Sequence, residues 1–316
     1  MKKILMAATI AAFTTFSMIG SAAAEWKPNG PIKLMIAFAA GGGADTIARA
    51  VGNELQARHG WEIIPQQVTG GGGVKLAKAL ATEPNDGTVI GMAVTESFGY
   101  NLAAAGDIGI TGADFTPLTT VAGFQMGVVA KTSKGWKNID DVFAAAKAGE
   151  TLRFGSMSPR LSDLAFLLAE ANGVEFNIVE VKGGKAVMNG VNAGDMDLGF
   201  MAGIQAKGVA AGDLVNLASA LSAPLVQTPD APTFAQLGVP FNADGFFMFT
   251  APAGLPAEAR EALTEAIIAV VSDTDTKAGG IIKKAFGGPA IIKGADLDDR
   301  IAADYEAASA LMNAAQ

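Results

Sequence analysis

No cysteine occurs in this chain, and histidine occurs once. Without cysteine there is no thiolate nucleophile, no disulfide and no cysteine-built zinc site. The one imidazole, His59, stands between Arg58 and Gly60, a pattern that fits the end of a helix better than a catalytic triad. Bases are also in the minority: 23 Lys and Arg face 31 Asp and Glu, for a formal net charge of −8. An excess of negative charge argues against nucleic acid and anionic membrane surfaces as partners. It also repels an anionic ligand at long range, so any anion site has to be local and oriented in advance.

One long apolar run is present, at the N-terminus. Lys2 and Lys3 precede a stretch from Ile4 to about Gly20, and Ala22-Ala23-Ala24 offers a small-residue cleavage site before Glu25. This predicts an export signal over residues 1–24, cut near Ala24, and an exported mature chain. Removing it takes away two lysines and no acids, which moves the net charge to −10. No later segment is long enough to span a bilayer, and no cysteine lies near the cut to carry a lipid. The roughly 290 residues that follow suffice for two α/β domains with ample burial.

The mature chain is organised around residues 32–49. Ile32, Leu34, Ile36 and Phe38 alternate with Lys33, Met35 and Ala37, which predicts a strand covered on both faces. Gly41, Gly42 and Gly43 break the run. Ile47, Val51 and Leu55 then recur every four residues, so a helix is expected from about Ala44 to His59, with Gly60 after it. A strand, a glycine turn and a helix N-terminus direct free backbone N–H groups at one point and make an anion site without a charged side chain. A plain tight turn is the alternative. Nucleotide fingerprints fail: the third glycine of the dinucleotide motif would fall on Thr46, and neither Gly73-Val74-Lys75 nor Gly184-Lys185-Ala186 completes a P-loop.

Further strand–turn–helix units follow. A strand is expected at Glu62–Pro65 and a helix at Val74–Ala81 after the glycines 70–73, which read as either a connector or a ligand contact. A third strand, Thr88–Val94, runs into Thr95-Glu96-Ser97, where open α/β sheets bind ligands. There Thr95 and Ser97 are the contact candidates, and Glu96 is expected to be solvated or bonded locally. The long apolar stretch Leu118–Ala130 reads as a crossover strand into a second domain. That domain opens with a helix at Ile139–Ala148 and a strand at Thr151–Phe154. The loop Gly155–Arg160 comes next, then a helix carrying Leu161, Leu164 and Leu168. Ser158 with Pro159 fits an N-cap followed by the first helical position, although Ser162-Asp163 could equally open that helix.

Several stretches together resemble the solute-binding proteins of tripartite tricarboxylate transporters. They include Phe38-Ala39-Ala40-Gly41-Gly42-Gly43-Ala44-Asp45-Thr46, Gly70 to Gly73, Pro84-Asn85-Asp86-Gly87-Thr88 and Gly190-Val191-Asn192-Ala193-Gly194-Asp195. Thr228-Pro229-Asp230-Ala231-Pro232-Thr233-Phe234 is the most specific, and Ala251-Pro252-Ala253-Gly254-Leu255-Pro256 follows it. The resemblance spans nearly all of the mature chain. It implies an α/β periplasmic binding protein of type II, a two-lobed Venus flytrap with crossover strands. Residues 25–124 and 246–316 would form the first lobe and residues 125–245 the second, with Gly245–Thr250 as the return crossing.

The resemblance also implies a monomer without cofactor or metal that binds a small organic acid, mono- or dicarboxylate, and meets membrane permease subunits. Carried over by position, the ligand-binding residues are Phe38, Ala39, Gly42, Gly43, Ala44, Asp45 and Thr46 of the first loop. The second loop contributes Ser156, Ser158, Arg160, Leu161, Ser162 and Asp163. There the chain departs from its relatives: Met157 and Pro159 stand at glycine positions, Arg160 at a small-residue position and Asp163 where a histidine is usual. Arg160 could grip a second carboxylate in bidentate fashion or pair with Asp163. An α/β enzyme working through Asp45 and Asp163 is the alternative function.

Overall fold

The computed structural model describes residues 26–316, so the expected export signal lies outside the described residues. The first half alternates strands and helices: β1 (Ile32–Ile36), α1 (Gly43–His59), β2 (Ile63–Gln67), α2 (Val74–Leu80) and β3 (Val89–Val94). Two short helices, α3 (Thr95–Phe98) and α4 (Tyr100–Ala104), lead to β4 (Phe115–Gly123) and β5 (Gly127–Lys131). Next come α5 (Ile139–Lys147), β6 (Leu152–Ser156), α6 (Pro159–Ala171), β7 (Phe176–Glu180) and α7 (Gly184–Ala193). β8 (Leu198–Met201), α8 (Ala206–Ala211) and β9 (Leu214–Ser219) finish the middle of the chain. β10 (Phe246–Pro252), α9 (Ala257–Ser272), α10 (Lys277–Phe286) and α11 (Ala295–Ala314) complete it.

The strands form two five-stranded sheets, ordered β2-β1-β3-β10-β4 and β7-β6-β8-β5-β9. Both follow one plan. The first three strands of each are parallel, and the fourth runs antiparallel to both its neighbours. In each sheet that antiparallel strand is the one arriving from the other sheet. A chain that crosses the cleft enters at the end where the parallel strands finish, so it must run against them.

The alternation in β1 becomes a division of the core. Ile32, Leu34 and Ile36 pack with Ile47, Val51 and Leu55 of α1. Met35 and Ala37 point to the opposite face and pack with Leu76, Ala77, Leu80 and Phe98. Each such side chain contributes about 1.5–3 kcal/mol when fully buried. Gly60 closes α1 in the left-handed region at φ 70°, its N–H bonding to the Gln56 carbonyl. His59 stacks on Trp61 with ring centres 4.6 Å apart.

The apolar stretch Leu118–Ala130 is divided between the sheets rather than forming one strand. β4 stays in the first sheet, β5 joins the second, and Phe124-Gln125-Met126 crosses between them. The return strand lies beside this crossing, where Phe124 N–H donates to Gly245 O at 2.9 Å. Gln125 is the fastener: its Oε1 accepts from Val226 N–H at 2.8 Å, and its carbonyl accepts from Gln205 Nε2 at 2.9 Å. α9 and α10 pack back on α1, and α11 packs on α4.

Candidate functional site

The two sheets present their strand ends to each other across a narrow cleft. An ideal Cβ placed on Gly183 of the second lobe would lie 3.5 Å from Ala39 N and from Phe38 Cβ of the first. Between them is a narrow cavity with about 50 Å³ of free space. Its walls are mostly apolar: Phe38, Val94, Phe124 and Phe247 face Met157, Leu161 and Ile204. Phe124 and Phe247 meet edge to face at 5.1 Å.

Polar groups enter the cavity from helix ends. Gly42 caps α1 in extended conformation and no side chain bonds its first turn, leaving N–H groups of Gly43 and Ala44 as free donors. Ala39, Gly42, Gly43 and Ala44 line the cavity beside them. On the second lobe α7 begins at Gly184, also a lining residue, after Gly183 at φ 107° with no side-chain cap. These two helices have 17 and 10 residues, long enough for a full terminal dipole.

The loop expected to serve the second lobe is occupied by its own bonds. Ser158 does cap α6, accepting from Leu161 N–H at 3.4 Å, and Pro159 takes the first helical position. Pro159 has no N–H, and the N–H of Arg160 donates to Asn101 Oδ1 at 3.4 Å. α6 therefore has little left to offer an anion, whereas α7 does. The Gly183-Gly184-Lys185 segment was legible as a glycine-to-helix turn, but the failed P-loop match gives no reason to place it in the cleft.

Of the residues proposed from sequence, Phe38, Ala39, Gly42, Gly43, Ala44, Ser158 and Leu161 line the cavity together. The others do not; all but Thr46 have a structural partner instead. Asp45 is buried; one carboxylate oxygen accepts from Gly41 N–H at 2.8 Å, and the other accepts from Arg49 Nε at 2.8 Å and from Gln67. Thr46 faces a separate hollow with Gly203 and Phe286. Thr95 Oγ1 accepts from Phe246 N–H at 3.2 Å, and Ser97 Oγ donates to Gly72 O at 2.8 Å. That second bond fixes the glycine turn before α2, which is a packed 3-10 turn and not a loose connector.

Ser156 Oγ donates to Ser158 O, and Ser162 Oγ donates to Ser156 Oγ, so both hydroxyls are spent inside their loop. Asp163 accepts from Tyr100 OH of the first lobe; burial raises its carboxyl and the tyrosine bond lowers it in part. Arg160 pairs with neither Asp163 nor open space. Its Nη1 lies 3.7 Å from Glu96 Oε1, and its Nη2 donates to Asn242 O at 2.9 Å.

Glu96 is the main correction. It is neither solvated nor bonded locally but 2% exposed and part of the cavity wall. Burial pushes its carboxyl up to about 7, with Arg160 opposing and Asp304 adding to the rise. A charged residue after a buried strand reads as a solvated end, because nothing local shows that a second lobe will cover it.

Residues 47–278 match the model of the tripartite tricarboxylate transporter family receptor. The chain belongs to this family. BugT of Bordetella pertussis is 27% identical to this receptor over 262 residues, covering 76% of each chain. A UPF0065 protein of Agrobacterium vitis, from the TAR-I ttuE-ttuC' intergenic region, is 27% identical over 256 residues, 78% of this chain and 72% of that one. Among solved structures, MatC from Rhodopseudomonas palustris with bound malate superposes with a TM-score of 0.77 at 18% identity. That superposition covers 92% of this chain and 100% of MatC. Rpa4515 of R. palustris with adipate gives 0.79 at 21% identity over 91% and 98% of the two chains. The fold of this receptor is accordingly the two-lobed α/β binding-protein fold. Among the described residues no helix is long and apolar enough to cross a membrane, and no group of His, Asp or Glu could hold a metal ion.

Proposed function

We propose that the protein is a periplasmic receptor that captures a small organic carboxylate between its lobes and delivers it to the permease of a tripartite tricarboxylate-type transporter. The observation that carries this reading is the pair of uncapped helix N-termini, α1 from one lobe and α7 from the other, at one apolar cavity. A carboxylate there meets N–H donors from both sides while its carbon body lies against phenylalanine and methionine.

The energetics require both lobes. Micromolar affinity needs about −8 kcal/mol. An exposed helix N-terminus supplies only ~0.3–1 kcal/mol, and up to ~2 when partly buried. Charge-assisted hydrogen bonds at about 1.5–3 kcal/mol each reach the total with four or five donors, provided closure removes water. One lobe cannot supply that number. The single chain contains every residue this reading needs, and Asp45 and Asp163, the carboxylates an enzyme would use, are committed away from the cavity.

Calorimetric titration of the purified mature chain with a panel of mono- and dicarboxylates tests the proposal. A saturable 1:1 isotherm with at least one small acid is expected. Folded protein that binds none of them would overturn it.

A further inference from the structure

One group on the cavity wall has no use in holding a carboxylate. Glu96 is turned inward by the single-turn helix α3, directly after β3. Its Oε1 accepts no hydrogen bond among the described residues, although it is fully buried. The surrounding donors are committed elsewhere. Tyr100 OH serves Asp163, while Asn101 Nδ2 and Ser97 Oγ both serve Gly72 O.

Among the described residues Arg160 is the one cation in contact, and it completes the carboxyl poorly. Its Nη1 stands 3.7 Å away, beyond hydrogen-bond distance, and its plane lies 6.0 Å over the Tyr100 ring. Its Nε has no partner either. From α11, Asp304 faces the same guanidinium and leaves Oδ2 unbonded. Glu96 and the partly buried Asp304 thus both face Arg160, and Arg300 acts on Asp304 alone, so Glu96 is left with one distant cation. A buried acceptor without a donor is costly. A donor that arrives with the ligand relieves that cost only when the ligand is bound.

We propose that Glu96 is the specificity-determining residue of the cleft, selecting a monocarboxylate that also carries a hydrogen-bond donor, an ammonium group above all, and rejecting dicarboxylates. This rests on the receptor function proposed above. The bound ligand is then bipolar: its carboxylate meets the α1 and α7 amides, its donor meets Glu96, and its short carbon body fills the space between Phe247 and Met157. A second carboxylate at the same place would set two anions in contact in a buried site, where the nearby Arg160 already faces Glu96 and Asp304 and gives its Nη2 to Asn242 O.

Titration calorimetry with three matched series tests this. The first holds ω-amino acids of three to six carbons with valine and leucine; the second, unsubstituted fatty acids of the same lengths; the third, the corresponding dicarboxylates. In the wild-type protein the best amino acid is expected to bind at least about tenfold more tightly than its matched fatty acid or dicarboxylate, the value of one charge-assisted bond. Glu96→Gln is expected to cut the amino acid's affinity about tenfold or more relative to that of its matched fatty acid.

A wild-type measurement stands beside the variant. Near neutral pH part of the Glu96 population is protonated, and an ammonium docked against it expels that proton. Titrations in two buffers of different ionisation enthalpy should therefore show proton release with the amino acid. Fatty acids or dicarboxylates that equal or exceed the amino acids, or binding without proton release, overturn the role of Glu96 and leave the receptor function standing. Absence of binding in all three series overturns both.

Discussion

Asp45 separates a scaffold from a ligand contact, and Asp45→Asn is the perturbation that tells them apart. The carboxylate accepts three bonds: one from Gly41 N–H, which sets the loop before α1, and two on its other oxygen, from Arg49 and Gln67. An amide has one acceptor oxygen. Whichever way the asparagine turns, its NH₂ confronts either the Gly41 N–H or the Arg49 and Gln67 donors. One charge-assisted bond is lost and a buried donor–donor contact replaces it, which gives about 2–3 kcal/mol after discounting for the 41% exposure of the Arg49 side chain. In a lobe of this size that lowers Tm by about 4–10 °C. Differential scanning calorimetry reads the stability and titration calorimetry the affinity. The expected result is a clear loss of Tm with affinity weakened in step, because Gly41 no longer presets the turn that aims Gly43 and Ala44. Unchanged Tm with binding abolished would refute the reasoning and return Asp45 to the ligand.

Two further outcomes follow from the buried acids. Burial raises Glu96 from its ordinary 4.5 to about 7, so the folded protein holds a proton that the unfolded chain releases. The contribution of this group to stability of the unliganded protein is therefore fully present below about pH 4.5 and is lost as pH rises to about 7, by about 3 kcal/mol. Asp163 and Asp304, both raised chiefly by burial, add decline of the same sign. Urea titrations between pH 4.5 and 8 should show the fall, and Glu96→Gln should flatten most of it; an equally steep fall in the variant would refute the assignment. Tyr100→Phe removes the hydroxyl that joins α4 of the first lobe to Asp163 of the second. Because that bond exists only across a closed cleft, the ligand Kd should rise about 5–10-fold with little change in Tm. A Kd within twofold of wild type would refute it.

Much of this fold is local and therefore legible. Four apolar residues at alternate positions in 32–38 require a strand buried on both faces, and Ile47, Val51 and Leu55 require a helix against one of them. The three glycines between them permit the turn and leave the helix uncapped. Ser158 followed by Pro159 marks the start of α6 for the same reason: hydrogen-bond supply and backbone restriction act within four residues. The long stretch 118–130 is misread as one strand because apolar alternation continues through Phe124–Met126, and only separation of the sheets shows that the chain changes partners there.

The sequence by itself therefore determined the strand–turn–helix units, the uncapped N-terminus of α1 and the lack of any cysteine thiol. All of these depend on residue type and short-range spacing. The tertiary structure alone decided which groups line the cavity between the lobes. Closure of two lobes brings Glu96 and Arg160 together across 64 positions of sequence, while bonds within the second loop occupy the Ser156 and Ser162 hydroxyls, and Gly184 joins Ser158 and Leu161 on the cavity wall. Burial of a carboxyl is a property of what covers it, and what covers Glu96 arrives from α6 and α11, which no pattern around position 96 records.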